Sequence, residues 1–169
     1  ATIDAIKKEA ETTISEIRRV VQGSLDEAEV LTGAFDRFVS RMFSLVQEND
    51  VPARETKSAR SNLEGDLDKY AKAKEAREKD VLKKQAVKNL KHAKTQLDAL
   101  KKRIDATKSE FQSTLKSFPG SIVNKGNPAF TAKYNELDRA YKAMKQDEAL
   151  HAKELQTLQK LGQQVAKLA

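Results

Sequence analysis

The sequence predicts an all-α fold, an elongated antiparallel three-helix coiled-coil bundle with a long middle helix that forms a dimer. The composition favours long helices over a thick core, because 34% of the residues are charged and only 5% are aromatic. Apolar residues also recur every three or four positions along three long segments. We therefore expect one domain over residues 1–169, with helices at about 2–49, 52–118 and 128–168.

The first predicted helix, 2–49, has one continuous apolar face. Its hydrophobic residues follow one another at intervals of three or four, which keeps them on one side of a helix. The stripe contains Ile3, Ile6, Ala10, Ile14, Ile17, Val21, Leu25, Ala28, Leu31, Phe35, Phe38, Met42 and Leu45. Val39, Phe43 and Val46 widen its second half. This half therefore has more apolar surface than a single coiled-coil seam.

The middle predicted helix, 52–118, has Pro52 in its first turn and ends before Pro119 and Gly120. Its beginning is poor in apolar residues, and the stretch 71–80 is mainly Lys, Ala and Glu. A seam with the spacing of knobs-into-holes packing follows. The seam contains Ala86, Leu90, Ala93, Leu97, Leu100, Ile104, Phe111, Leu115 and Phe118, with a polar gap at Thr107.

The third predicted helix, 128–168, begins where Asn127 and Pro128 supply the residue types of an N-cap and a first helical position. The loop 119–127 is short enough to join two antiparallel helices. The seam of this helix contains Phe130, Tyr134, Leu137, Tyr141, Met144, Glu148, His151, Leu155, Leu158, Gly162 and Val165.

The unequal helix lengths predict the dimer. At 1.5 Å per residue the three helices reach roughly 70, 100 and 60 Å, so the shorter two cannot cover the middle one. The wide apolar half of the first helix would then face water, and monomers seldom expose such a patch. We expect a second copy to cover it through Leu31, Phe35, Phe38, Met42, Phe43 and Leu45. The alternative is that these residues fill a local core.

Positive charge is concentrated in the middle helix. The chain has a net charge of +7, and residues 51–125 contain nineteen basic and ten acidic side chains. At 100° per residue, Lys84, Lys88, Lys91 and Lys102 lie within about 40° of one line, opposite the apolar seam. A solvated helix face is the simplest interpretation of such a stripe. Because few acidic residues interrupt it, a polyanionic partner is also favoured.

Two polyanions fit this stripe. An anionic bilayer attracts each nearby Lys or Arg with about 1 kcal/mol. Specific nucleic-acid binding normally adds aromatic, Arg or Asn side chains on the same surface. The stripe is almost entirely Lys, and the aromatic residues occupy seam positions, which disfavours specific nucleic-acid recognition.

Three long helices, the predicted dimer and the basic faces together resemble the BAR-domain superfamily of membrane-curvature proteins. The resemblance covers most of the chain and includes no short diagnostic motif. It implies a rigid homodimer that contacts phospholipid headgroups through basic residues of helices two and three and of the loop between them. On this sequence those residues are Lys83, Lys84, Lys88, Lys91, Lys94, Lys101, Lys102, Arg103, Lys116, Lys125, Lys133, Arg139 and Lys142.

Recognisable catalytic and metal-binding patterns are absent from the sequence. It contains no Cys, no HExxH and no glycine-rich phosphate loop. Glu148 and His151 have the Glu-x-x-His spacing of di-iron bundles, but such sites need a second copy of the motif. We therefore expect no enzyme activity, no cofactor and no metal, and interpret this pair as a polar layer that fixes helix register.

The functional prediction is a peripheral membrane protein of the cytoplasm that senses or shapes curvature as a homodimer. Three alternatives stay open: a coiled-coil scaffold that binds another protein, a helical part of a bacterial secreted or pore-forming system, and a bundle that binds RNA nonspecifically. No apolar run approaches the roughly 18 residues that span a bilayer. The chain begins without Met and ends in a helical pattern, so we expect it to be a fragment.

Overall fold

The residues that the structure describes are almost all helical. This computed structural model describes residues 3–23, 27–118 and 128–168, and no strand occurs among them. Five helices lie within these residues: α1 (Ile3–Gly23), α2 (Glu27–Glu48), α3 (Asp50–Lys72), α4 (Ala76–Ser117) and α5 (Pro128–Ala166). The predicted all-α class is confirmed.

The helices belong to two compact units. Unit 1 comprises Ala1–Asn49 and Lys102–Gln146, and unit 2 comprises Asp50–Lys101 and Asp147–Ala169. The divisions fall inside α4 and α5, so each of these helices contributes to both units. The prediction of a single domain over 1–169 stays a prediction.

In unit 1, α1 and α2 lie side by side and run in opposite directions. Arg41 of α2 forms an ion pair with Glu9 of α1 (Nε–Oε2, 3.1 Å), and Arg37 approaches Glu16 (3.8 Å). The prediction of one helix over 2–49 is therefore wrong. A continuous helix could not bring residues some thirty positions apart into contact, because they would lie about 45 Å apart along its axis.

The core of unit 1 contains a cluster of aromatic rings. The Phe35 and Phe118 rings meet edge to face at 5.3 Å, Phe38 lies 6.0 Å from Phe111, and Phe111 lies 5.2 Å from Tyr141. These contacts join α2, α4 and α5, and α1 contributes Ile6 and Ile17. Such contacts stabilise the core beyond the effect of apolar burial alone.

This core removes the reason for predicting a dimer. Phe35, Phe38, Met42 and Leu45 are buried within a single chain, and Phe43 packs against the same cluster. These five residues therefore do not form the exposed apolar patch that was inferred from the helix lengths. The side chain of Leu31 lies outside the described part of the structure.

In unit 2, α3 and α4 form an antiparallel pair. His92 approaches Glu55 (3.5 Å), Asn89 donates a hydrogen bond to Asp66 (2.6 Å), and Lys79 lies over the ring of Tyr70 (5.9 Å). The prediction of one helix over 52–118 is therefore wrong, because the chain leaves the helix at residues 73–75. The apolar-poor stretch 71–80 supplies no seam that would hold a continuous helix against a neighbour.

Apolar residues from three helices form the core of unit 2. They are Ala59 and Leu63 of α3, Ala86, Ala93 and Leu97 of α4, and Leu158, Leu161 and Val165 of α5. Seven of the nine apolar residues in the predicted seam of the middle helix are buried, namely Ala86, Ala93, Leu97, Leu100, Ile104, Phe111 and Phe118. The other two, Leu90 and Leu115, are partly buried.

The third predicted helix is observed as α5, which begins at Pro128 as expected. Its predicted seam is wrong in one turn, because Leu155 is 42% exposed whereas Glu154 is 3% exposed. Arg60 of α3 donates a hydrogen bond to the Glu154 carboxylate (Nε–Oε2, 2.7 Å). This partner compensates for burial of the charge. The loop 119–127 lies outside the described residues.

Candidate anion-binding surface

The candidate surface lies on the α4 part of unit 2, opposite the helix face that forms the core. Lys, Ala, Leu and Gln dominate this segment and all favour a helix. Because Ala86, Ala93 and Leu97 point into the core, the helical period places Lys84, Lys88 and Lys91 on the outer side. All three lysines are exposed. We call these three residues the lysine stripe.

Most lysines of this α4 segment have no acidic partner. Lys84 pairs with Asp80 one turn earlier (3.1 Å), and both side chains are more than half exposed. Such an exposed pair contributes little and leaves the ammonium accessible. Lys88, Lys91, Lys94 and Lys101 are exposed and form no ion pair with any other described residue. The segment therefore presents positive charge that its neighbours do not neutralise.

Two exposed valines border the lysine stripe. Val81 and Val87 are each about half exposed, at 49% and 48%. The helical period places them on either side of the stripe, roughly 60° from Lys84. This part of α4 therefore combines cationic groups with small apolar side chains.

The predicted basic residues of unit 1 have different environments. Arg103 donates a hydrogen bond to Glu48 (2.7 Å), and Lys133 pairs with Asp36 (2.7 Å). Hydrogen bonds to Asp36 and Glu136 raise the pKa of Lys133. Lys142 pairs with Asp138 (3.0 Å). Arg103 and Lys133 are engaged within the chain and are weaker candidates for an external anion. The exposed Lys142–Asp138 pair resembles that of Lys84 and Asp80 and leaves the Lys142 ammonium accessible.

The remaining predicted residues differ in exposure, and one of them lies outside the described residues. Lys102, Lys116 and Arg139 of unit 1 are exposed, and Lys83 of unit 2 is partly buried. Lys125 lies outside the described residues. Five of the thirteen predicted contacts, Lys84, Lys88, Lys91, Lys94 and Lys101, are exposed together on α4 of unit 2.

A buried ionic cluster in unit 1 escaped the sequence analysis. Glu110 of α4 is 3% exposed, and its Oε1 lies 2.5 Å from Nη2 of Arg41. Arg41 also donates a hydrogen bond to Thr13 (2.8 Å) and pairs with Glu9 of α1. Burial raises the pKa of Glu110 from 4.5 to about 7, although the charge of Arg41 opposes the shift. The sequence did contain a signal for this cluster: Glu110 lies three residues after Thr107, the polar gap in the predicted seam, and so falls on the same side of the helix.

The two histidines lie in different environments. His92 is half exposed and approaches Glu55, while Glu148 and His151 are partly buried on α5. Among residues 3–23, 27–118 and 128–168, no three His, Asp or Glu side chains are grouped as metal ligands. None of the helices within these ranges has the length and apolar composition that crossing a membrane requires.

Comparisons with known proteins add no relative. No protein-family model matches the chain, and neither a curated protein nor a solved structure matches it.

Proposed function

We propose that this protein binds anionic membrane surfaces without catalysis. The observation that carries the proposal is the group of exposed lysines on α4 of unit 2, four of which form no ion pair with another described residue. Unit 2 as a whole contains seventeen basic and twelve acidic residues. Its excess of positive charge favours a polyanion.

The chemistry of this surface favours a bilayer over a nucleic acid. Val81 and Val87 are apolar and border the lysine stripe, and no Phe, Tyr or Trp lies among positions 81–101 for base stacking. Small apolar groups beside lysines suit the interface between lipid headgroups and acyl chains. Each lysine near such a surface contributes about 1 kcal/mol.

The first test removes the charge of the lysine stripe. Replacing Lys84, Lys88 and Lys91 together by Gln should weaken binding to acidic liposomes by up to about 3 kcal/mol, at roughly 1 kcal/mol per charge. Helicity should be preserved, because Gln and Lys have similar helix propensities. Liposome cosedimentation and circular dichroism measure these two effects.

A matched control separates position from net charge. Lys57, Lys153 and Lys160 are also exposed residues of unit 2, and their replacement by Gln removes the same three charges away from the stripe. The control should retain most of the parent's affinity. If both triple variants bind equally well, the stripe is only a solvated face.

Homodimerisation, membrane curvature, a cytoplasmic location and the BAR-like arrangement belong to this proposal as further predictions. The dimer no longer rests on an exposed apolar patch, because the residues that suggested one fill the core of unit 1. Binding through the lysine stripe does not require a second copy.

The mass in solution tests the dimer separately. Sedimentation equilibrium should give twice the 18.9 kDa mass of the chain if the predicted homodimer forms. A mass of one chain at micromolar concentration would contradict the dimer and leave the membrane proposal intact.

The scaffold alternative has a specific observation in its favour. Leu155 and Val51 are exposed apolar residues away from the lysine stripe and could contact another protein. Failure of the parent protein to bind acidic liposomes would favour this alternative.

A further inference from the structure

Unit 2 contains an open groove between α4 and α5 with a volume of about 670 Å³. This volume falls within the range of pockets that bind small molecules. One wall belongs to α4 from Lys94 to Lys101, and the other belongs to α5 from His151 to Gln159. Neither the lysine stripe nor the valines beside it line this groove.

The floor of the groove is apolar. Leu97 and Leu158 are almost fully buried beneath it, and Leu155 lines it while remaining 42% exposed. An apolar ligand that covers an exposed leucine at the edge of a groove removes apolar surface from water, which favours binding. The groove therefore has a surface for a hydrocarbon chain.

The rim of the groove is mainly cationic. Lys94 and Lys101 are exposed, and neither forms an ion pair with another described residue. They are two turns apart on α4, about 10 Å along the helix axis, with Leu97 between them. His151 adds an imidazole, and Asp98 is the only carboxylate among the lining residues that the structure describes. This charge balance favours an anionic group.

We propose that the groove binds a single-chain amphiphile with an anionic headgroup. The ammonium groups of Lys94 and Lys101 contact the anion, and the alkyl chain covers Leu97, Leu155 and Leu158. This ligand uses both features of the groove, whereas a free anion would leave Leu155 exposed. The inference goes beyond bilayer binding, because a monomeric ligand in solution suffices to occupy the groove.

Another groove of unit 1 lacks this combination. A space of about 560 Å³ is lined by Lys8, Arg37 and Arg41, but also by Glu9 and Glu16. Arg37 and Arg41 already pair with these two carboxylates. The charged residues of this groove therefore favour neither an anionic nor a cationic ligand.

The test uses dodecyl phosphate below its aggregation concentration and isothermal titration calorimetry on the full chain. We expect saturable binding of one molecule per chain, with inorganic phosphate and dodecanol each binding at least tenfold more weakly. A tenfold change corresponds to 1.4 kcal/mol, a reasonable effect for loss of either the charged or the apolar contacts. Equal binding of inorganic phosphate would contradict the apolar part of the proposal.

Two variants locate the site. Replacing Lys94 and Lys101 together by Gln should weaken binding of dodecyl phosphate at least tenfold, and Leu155→Ser should weaken it by about tenfold. Both variants alter exposed side chains, so circular dichroism should show unchanged helicity.

Matched controls are Lys57→Gln with Lys153→Gln, and Val81→Ser, which change exposed residues outside the groove. The controls should bind as the parent does. Parent-like binding by the groove variants, or binding of many molecules per chain, would overturn the proposal. The liposome result for the lysine stripe does not affect these outcomes, because the two sets of variants share no residue.

Discussion

Replacing Phe38 by Ala should lower the free energy of unfolding by about 3 to 5 kcal/mol. Phe38 is 1% exposed and contacts the rings of Phe35, Phe111 and Phe118. Its truncation removes apolar burial and leaves a cavity among rings from α2 and the segment that ends α4. Urea unfolding followed by circular dichroism measures the loss.

Val51→Ala is the control for this truncation, because Val51 is 55% exposed. Its effect should stay within about 0.5 kcal/mol. A Phe38→Ala variant with parent-like stability would contradict the described core of unit 1. A variant that stayed folded and only halved the sedimenting mass would assign Phe38 to an interface between copies.

The buried Glu110 should make the stability of the protein fall as the pH rises. Its pKa in the folded chain is about 7, above the ordinary value of 4.5. The folded state therefore retains a proton that the unfolded state has released. The stabilisation is complete below pH 4.5 and is lost as the pH rises toward about 7, which amounts to at most about 3 kcal/mol.

Glu110→Gln tests this dependence, because Gln has a similar shape and no charge to desolvate. Unfolding free energies measured in urea between pH 5 and pH 8 should fall less steeply for the variant than for the parent. Glu16→Gln is the control in the same unit, since Glu16 is 57% exposed, and it should retain the parent's slope. Parallel curves for the parent and Glu110→Gln would show that Glu110 does not retain its proton near neutral pH.

The sequence predicts the seams of this protein better than its reversals. The apolar periodicity of α4 identifies its buried face, and Pro128 marks the start of α5. The reversal at 73–75 contains neither Gly nor Pro. The position of this reversal depends on contacts between apolar residues of different helices, such as Leu63 of α3 and Ala86 of α4, which lie in one core cluster. The apolar periodicity along a single segment does not show which residues of another segment it will contact.

The boundary between α1 and α2 did have a local signal. Gly23 occupies a position that favours the end of a helix, and Asp26 followed by Glu29 has the spacing of a capping box. The continuous apolar stripe across these residues concealed the break. Two antiparallel helices that share one core can each be apolar on the side facing it, so the stripe could not distinguish one helix from two.

Buried charges were the least predictable part. Glu154 and Glu110 occupy core positions because Arg60 and Arg41 reach them from other helices. Sequence distance hides these partners, since Arg60 and Glu154 are 94 positions apart. By contrast, the exposed lysines of α4 follow directly from the helical period once the seam is known.

Flotation of the unmodified protein with liposomes tests whether it binds an anionic membrane surface. At low salt the protein should float with liposomes that contain anionic phospholipid and should remain behind with neutral liposomes. The bound fraction should fall as added salt shortens the screening length. Absence of binding to acidic liposomes at low salt, or equal binding to neutral liposomes, would contradict the proposed function.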